Sequence, residues 1–315
     1  MGRVLKFTTL SILALVVLAG GLLSFYSVPD QSVESLKPKW AQAPSQFMGI
    51  AGMQIHLRDE GPRDDAPPIV LIHGTSASLH TWDGWTEALI NERRVIRFDL
   101  PAFGLTGPDP QNNYTIEHYA NVVVAVLDAL NVDKSILAGN SLGGYIAWAT
   151  AVLHPQRVVK LGLVDASGYP FTAKTMPIGF KLATIPVLRD ILKDVLPRSL
   201  VRSSIESVYG NPESISPELV DRYFDLTSRQ GNRGALVERF KQTQPGVMAQ
   251  RVPEVSVPTL IMWGGKDELT PPSLANRFLK DIKGSQLVMF DELGHVPHEE
   301  DPEATVAAFK HFINL

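Results

Sequence analysis

The sequence predicts an α/β fold: a mostly parallel central sheet with helices on both faces, interrupted once by a helical cap. Three observations predict it. Short apolar runs, such as Ile69-Val70-Leu71-Ile72, Val158 to Val164 and Thr259 to Trp263, alternate with longer helix-like stretches. Several of those runs are continuously apolar, as strands covered on both faces must be. From Tyr169 to Val252 the alternation stops, and the chain is helix-like and broken by Pro170, Pro177, Pro186, Pro197, Pro212 and Pro217. A chain of 315 residues is long enough for one such domain with an insertion.

Composition narrows the function classes. The formal net charge is −4, which leaves no basic footprint for nucleic acid. There is no cysteine, so disulfides, thiolate metal sites and a cysteine nucleophile are excluded.

The elements follow in order. Residues 1–30 are read as a membrane anchor. Arg3 and Lys6 precede a run from Phe7 to Pro29 without a charge, long enough to span about 30 Å of hydrocarbon as a helix. The basic flank orients the N-terminus inside and exports the rest of the chain. The alternative is a signal peptide cleaved after Val17-Leu18-Ala19, leaving a secreted protein. Leu22, Leu23, Phe25 and Tyr26 continue the apolar run past that point and favour the anchor. Gly2 opens no myristoylation site, because Lys6 stands where Ser or Thr is needed.

Residues 31–46 are polar and read as a tether. The first part of the core, 47–168, opens with a hairpin signal: two apolar segments flanking Ala51-Gly52. Strands are expected at Ile69 to Ile72 and Val95 to Phe98, with a helix from Leu79 to Asn91 between them. A helix from Thr115 to Leu130 has Thr115 as N-cap. Ser135 to Ala138 is the next strand and Leu142 to Val152 the next helix. After the Val158 to Val164 strand comes the cap, 169–252. The core resumes over 253–315 with the Thr259 to Trp263 and Gln286 to Phe290 strands, a helix from Pro272 to Lys280, and a last helix from Asp301 to Phe312.

The chemistry gathers at strand ends, where open α/β sheets carry their sites. Leu137-Ala138-Gly139-Asn140-Ser141-Leu142-Gly143-Gly144 reads as strand, G-x-S-x-G, helix, the pattern of a nucleophile elbow. Glycines at 139 and 143 leave room for a sharp reversal that lifts the Ser141 hydroxyl above the sheet edge. A serine nucleophile needs a base, an acid to orient that base, and donors for an oxyanion. His295, in Leu293-Gly294-His295-Val296-Pro297, is the candidate base. Asp267, in Gly264-Gly265-Lys266-Asp267-Glu268, is the candidate acid. Asp165, one strand earlier, is its rival, and Glu268 a weaker one. The Thr75 and Leu142 N–H groups are the candidate oxyanion donors. His73 is read as an orienting residue for the Thr75 loop, His298 as a solvated surface residue, and Glu299, Glu300 and Asp301 as the start of the last helix. Phe171, Met176, Phe180, Leu182 and Ile185 in the cap either line an acyl pocket or simply pack. No metal-ligand spacing is present.

Taken together, HGTSAS (from His73), DLPAFG (from Asp99), GNSLGG, WGGKDELTP and GHVPHEEDP resemble motifs of bacterial α/β-hydrolase-fold esterases and lipases with a cap. The resemblance runs from about Phe47 to the C-terminus. It implies an α/β-hydrolase fold and a Ser141–Asp267–His295 triad. It further implies cleavage of a small-molecule or lipid-like carboxylic ester, with no cofactor. The same family holds serine enzymes that cleave carbon–carbon bonds or form peracids. A catalytically silent binding protein on the same fold is the non-enzymatic alternative.

Overall fold

The computed structural model describes residues 27–64, 66–185 and 195–315, together with Gly21. The run read as an anchor lies outside the described residues, except for Gly21 and residues 27–29. No helix among the described residues is long and apolar enough to cross a membrane.

Eight strands form one sheet: β1 (Gln46–Ile50), β2 (Met53–Glu60), β3 (Ile69–Ile72), β4 (Val95–Phe98), β5 (Ser135–Asn140), β6 (Val158–Val164), β7 (Thr259–Gly264) and β8 (Gln286–Phe290). Their order is β1-β2-β4-β3-β5-β6-β7-β8. The β1–β2 and β2–β4 pairs are antiparallel and the others parallel. The β1–β2 turn puts Ala51 at φ 50° and Gly52 at φ 79°, the two positive values a tight hairpin requires.

Alternate residues of each central strand feed opposite faces. Ile69 and Leu71 join Trp85 and Phe309 in one buried cluster; Val70 and Ile72 join Val123 and Ile146 in the other. Helices α2 (Asp83–Leu89) and α11 (Pro302–Ile313) cover the first face. Helices α3 (Ile116–Ala129), α4 (Leu142–Leu153) and α9 (Ser273–Asp281) cover the second. Thr115 caps α3 as expected, its hydroxyl accepting from the His118 N–H. The helix expected from Leu79 opens instead with a 3-10 turn over Leu79–Trp82 before α2 begins.

The tether expected at residues 31–46 is corrected. Val33–Trp40 forms helix α1, capped by the Ser32 hydroxyl, and Leu36 is buried against Leu105 and Leu226. Trp40 Nε1 donates to Asp225 Oδ2 at 3.0 Å. A mostly polar segment hides a one-sided helix whose apolar stripe is Val33, Leu36 and Trp40, spaced i, i+3, i+7.

The insertion holds α5 (Ile178–Thr184), α6 (Arg198–Glu206), α7 (Pro217–Thr227) and α8 (Asn232–Gln242). Three of its prolines are starts rather than breaks. Pro177 and Pro197 precede α5 and α6, and Pro217 opens α7, where a missing N–H costs nothing. Val201, Ile205 and Val220 make a small separate core, into which Val296 from the other side of the site inserts.

Candidate active site

Ser141 sits between β5 and α4 with φ 55° and ψ −115°, a backbone conformation costly for a side-chain-bearing residue. A Cβ at position 139 would lie 2.2 Å from the Gly143 carbonyl oxygen, and one at 143 only 2.1 Å from that of Ile72. The strand and helix therefore close on each other only with glycine at both places. As first residue of α4, Leu142 has an N–H with no partner in its own helix. Among the described residues neither that N–H nor the one of Thr75 finds an acceptor. The Thr75 loop runs hard against the elbow: a Cβ at Gly74 would be 3.2 Å from that of Ser141. His73 holds this loop as expected. Its Nδ1 donates to the Gly74 carbonyl at 2.7 Å and its Nε2 accepts from the Leu100 N–H at 2.9 Å. Burial lowers its pKa and keeps the ring neutral.

Asp267 and His295 arrive from the loops after β7 and β8. Asp267 Oδ2 lies 2.7 Å from His295 Nδ1, with both residues buried. The other carboxylate oxygen accepts the Leu269 and Thr270 N–H groups at 2.8 Å each. With Asp267 accepting at Nδ1, the imidazole keeps its proton there and leaves Nε2 as a base. His295 and Ser141 border the same cavity, and no hydrogen bond joins the serine hydroxyl to the ring.

The His295 loop is fastened from several sides by groups the sequence did not reveal. Its N–H donates to the Val208 carbonyl of the cap at 2.7 Å. Asn140 Nδ2 donates to the His295 carbonyl at 2.9 Å. Glu300 accepts from the Gly294 and Gly210 N–H groups at 2.7 Å each. Reading Glu299 and Glu300 as openers of the last helix is thus corrected. Glu299 pairs with Arg222 and Tyr223 of α7, and only Asp301 caps α11. Asn140 lies within the elbow motif, which flagged the position without its role.

Asp165 is fully buried at the end of β6. Its Oδ1 accepts from the Gly264 N–H at the end of β7, at 2.9 Å. Polar atoms of Asp165, Asp267 and His295 all lie within 4.8 Å of one another. Burial first, then the Asp267 charge, push the Asp165 carboxyl well above its ordinary pKa. Such a trio is also a donor set for a cation, but His295 Nδ1 and Asp267 Oδ2 are spent on each other, so the geometry favours proton sharing. Glu268 turns outward to Lys174 and Thr175.

Two cavities meet at Ser141. One of about 170 Å³ runs under α6 and α8, lined by Leu200, Val201, Ile205 and Val237. A second of about 640 Å³ lies on the other side of Phe180, lined by Tyr145, Tyr169, Phe171, Met176 and Val247. Thr75, Ser141 and Leu269 border both. Of the five apolar cap residues read as pocket candidates, Phe171, Met176 and Phe180 line these cavities. Leu182 and Ile185 line neither.

His298 is corrected from surface to core. It is 1% exposed, packs on Trp82 with ring centroids 4.0 Å apart, and neither ring nitrogen has a partner. Burial depresses its pKa, as it does for His73 and for His80, which falls to about 3. Unfolded, each histidine binds a proton near pH 6.5; folded, burial keeps each neutral to lower pH, and His298 and His80 to well below it. The unfolded state therefore binds more protons in this window, and stability falls as the pH drops below about 6.5. The midpoint of thermal unfolding is expected to fall between pH 7 and pH 5, and to fall less in His298→Phe. Equal slopes for both proteins would remove His298 from this account.

Comparison with known proteins agrees with the architecture. The chain is similar to a 2-hydroxy-6-oxo-2,4-heptadienoate hydrolase of Pseudomonas putida, with 29% identity over 78% of this chain and 87% of that protein. Among solved structures it is similar to a thermophilic esterase from Thermogutta terrifontis (TM-score 0.72, 24% identity, 86% of this chain and 98% of the other). A membrane phospholipase A superposes with a TM-score of 0.73 at 23% identity, covering 98% of both chains. At these identities the two structures speak to the fold alone. The family model for the alpha/beta hydrolase fold matches residues 67–302, well over half of the sequence, and the chain belongs to that family.

Proposed function

We propose that this hydrolase cleaves carboxylic esters through an acyl-enzyme. The observation that carries the reading is the buried 2.7 Å Asp267–His295 pair, whose imidazole borders the same cavity as the strained Ser141. Ser141 Oγ attacks the ester carbonyl carbon while His295 Nε2 takes its proton. Asp267 holds the imidazole in the required tautomer and stabilises it once charged. The Thr75 and Leu142 N–H groups receive the oxyanion. Collapse expels the alcohol, which takes the proton from His295. Water, deprotonated by the same nitrogen, then attacks the acyl carbon and releases the acid. The mechanism calls on no metal or cofactor. Two apolar cavities on either side of Ser141 suit a substrate with two apolar arms, an acyl chain and a leaving group.

Carbon–carbon hydrolysis is the second reading, favoured by the Pseudomonas putida relative. A panel of p-nitrophenyl esters run beside a vinylogous diketone separates the two. Turnover of esters with no turnover of the diketone is the expected result; the reverse assigns carbon–carbon cleavage.

We further propose that the apolar run from Phe7 to Pro29 is an uncleaved anchor with the catalytic domain exported. The full chain is expected to sediment with membranes and resist carbonate extraction. A mature N-terminus near Gly20 assigns a cleaved, secreted form instead.

A further inference from the structure

The apolar run ends directly on the cap. Ser27 bridges to Val195. The Val28 carbonyl and Asp30 Oδ1 accept from Arg233 Nη2 at 2.7 and 2.6 Å. Asp30 Oδ2 accepts from the Gly231 N–H at 3.1 Å. Gln31 donates its N–H to the Ser228 carbonyl and accepts from the Gln230 N–H, both at 2.8 Å. The grip thus begins within the apolar run itself, upstream of the segment that composition marks as a tether. If that run is inserted in a bilayer, no slack separates it from the cap. Each interfacial layer is only about 5–8 Å thick, so the gripped surface lies at the headgroups.

A second feature lies on the same part of the molecule. Seven large apolar side chains among the described residues are exposed, and five belong to the cap: Phe171, Met176, Ile178, Ile185 and Val247, from 37% for Met176 to 48% for Ile178. Phe171, Met176 and Val247 line the larger Ser141 cavity. Helix α5 carries Ile178 and packs on α8 through Phe180 and Phe240, ring centroids 5.3 Å apart. Phe240 stands seven residues, about 10 Å, along α8 from Arg233, which holds the linker. Scattered exposed hydrophobics need no explanation, but a cluster at the edge of a cavity does.

We infer that this cap face rests on the bilayer holding the anchor, and that the larger cavity takes an amphiphilic ester directly from the lipid layer. The inference rests on the anchor reading above and deepens the ester reading by naming the substrate's physical state.

The chain has no cysteine, so one introduced cysteine reports alone. The full-length protein is reconstituted in phosphatidylcholine–phosphatidylglycerol vesicles with a nitroxide at Ile178→Cys or Ile185→Cys. Leu279→Cys and Met289→Cys, exposed apolar positions on α9 and β8, serve as references. Turnover of a soluble short-chain ester reports that each labelled protein is folded. The two cap labels are expected to collide severalfold more with oxygen, relative to a water-soluble nickel chelate, than the references do. Cap labels as open to nickel as the references, in protein that resists carbonate, overturn the docking and leave the anchor standing. Protein released by carbonate overturns the anchor and the docking together.

Discussion

Ser141→Ala is expected to lose all fluorophosphonate labelling and to lower ester turnover by about 10⁴ to 10⁶, the class of loss seen when a triad acts as a unit. The fold should survive. Among the described residues the Ser141 hydroxyl has no hydrogen-bond partner, and alanine keeps the Cβ that the elbow already accommodates. The stability change is expected to stay within about 0.5 kcal/mol. The strained φ of 55° at position 141 is the same for serine and alanine, so the chemistry is removed without the geometry. Labelling that persists on another serine, in protein that melts normally, sinks the assignment.

Asp267→Asn is expected to cost about 10⁴ in kcat. The asparagine oxygen still accepts the Leu269 and Thr270 N–H groups, so the loop remains in place. What is lost is the acceptor at 2.7 Å from His295 Nδ1. Facing an amide N–H, the ring moves its own proton to Nε2 and can no longer receive one from Ser141. Asp165→Asn should behave in the opposite way and keep most of its turnover. Its oxygen still accepts the Gly264 N–H, and its amide group mimics a protonated carboxyl toward Asp267. The folded pKa of Asp165 lies well above the ordinary carboxylate value of 3.8. Its contribution to stability is therefore present below that pH and lost as the pH rises toward the folded pKa. Asparagine needs no proton, so the variant should gain in melting temperature over wild type as the pH rises from 4 to 8. If the two folded variants showed the reverse order of turnover, Asp165 would be the orienting acid.

Much of this was legible because chemistry and backbone constraint coincide in short stretches. The continuously apolar β3 announces a sheet covered on both faces. Gly139 and Gly143 announce the elbow, since no other residue fits. Asp267 and His295 were found because each follows a strand and because their chain order suits the fold. What escaped depends on contacts between distant segments. Nothing local to His298 shows that Trp82 will cover it. Glu300 looks like a helix opener until Gly210 and Gly294, far apart in sequence, present their N–H groups to it. Helix α1 was hidden because three apolar residues in eight, Val33, Leu36 and Trp40, are enough when α7 supplies the rest of the surface.

The fastening of the His295 loop bears on how such an enzyme can be re-engineered. Caps are attractive modules to exchange between relatives, on the premise that selectivity lives above and chemistry below. In this chain the division does not hold. The main-chain proton of His295 is received by Val208, and Val296 is seated in the inserted domain's own core. A wholesale transplant would strip the imidazole of its bearings along with the old specificity. Grafts that keep residues 205–210 and the Arg222–Glu299 pair, and vary only α5 and the flank of α8, preserve the machine while changing what it holds.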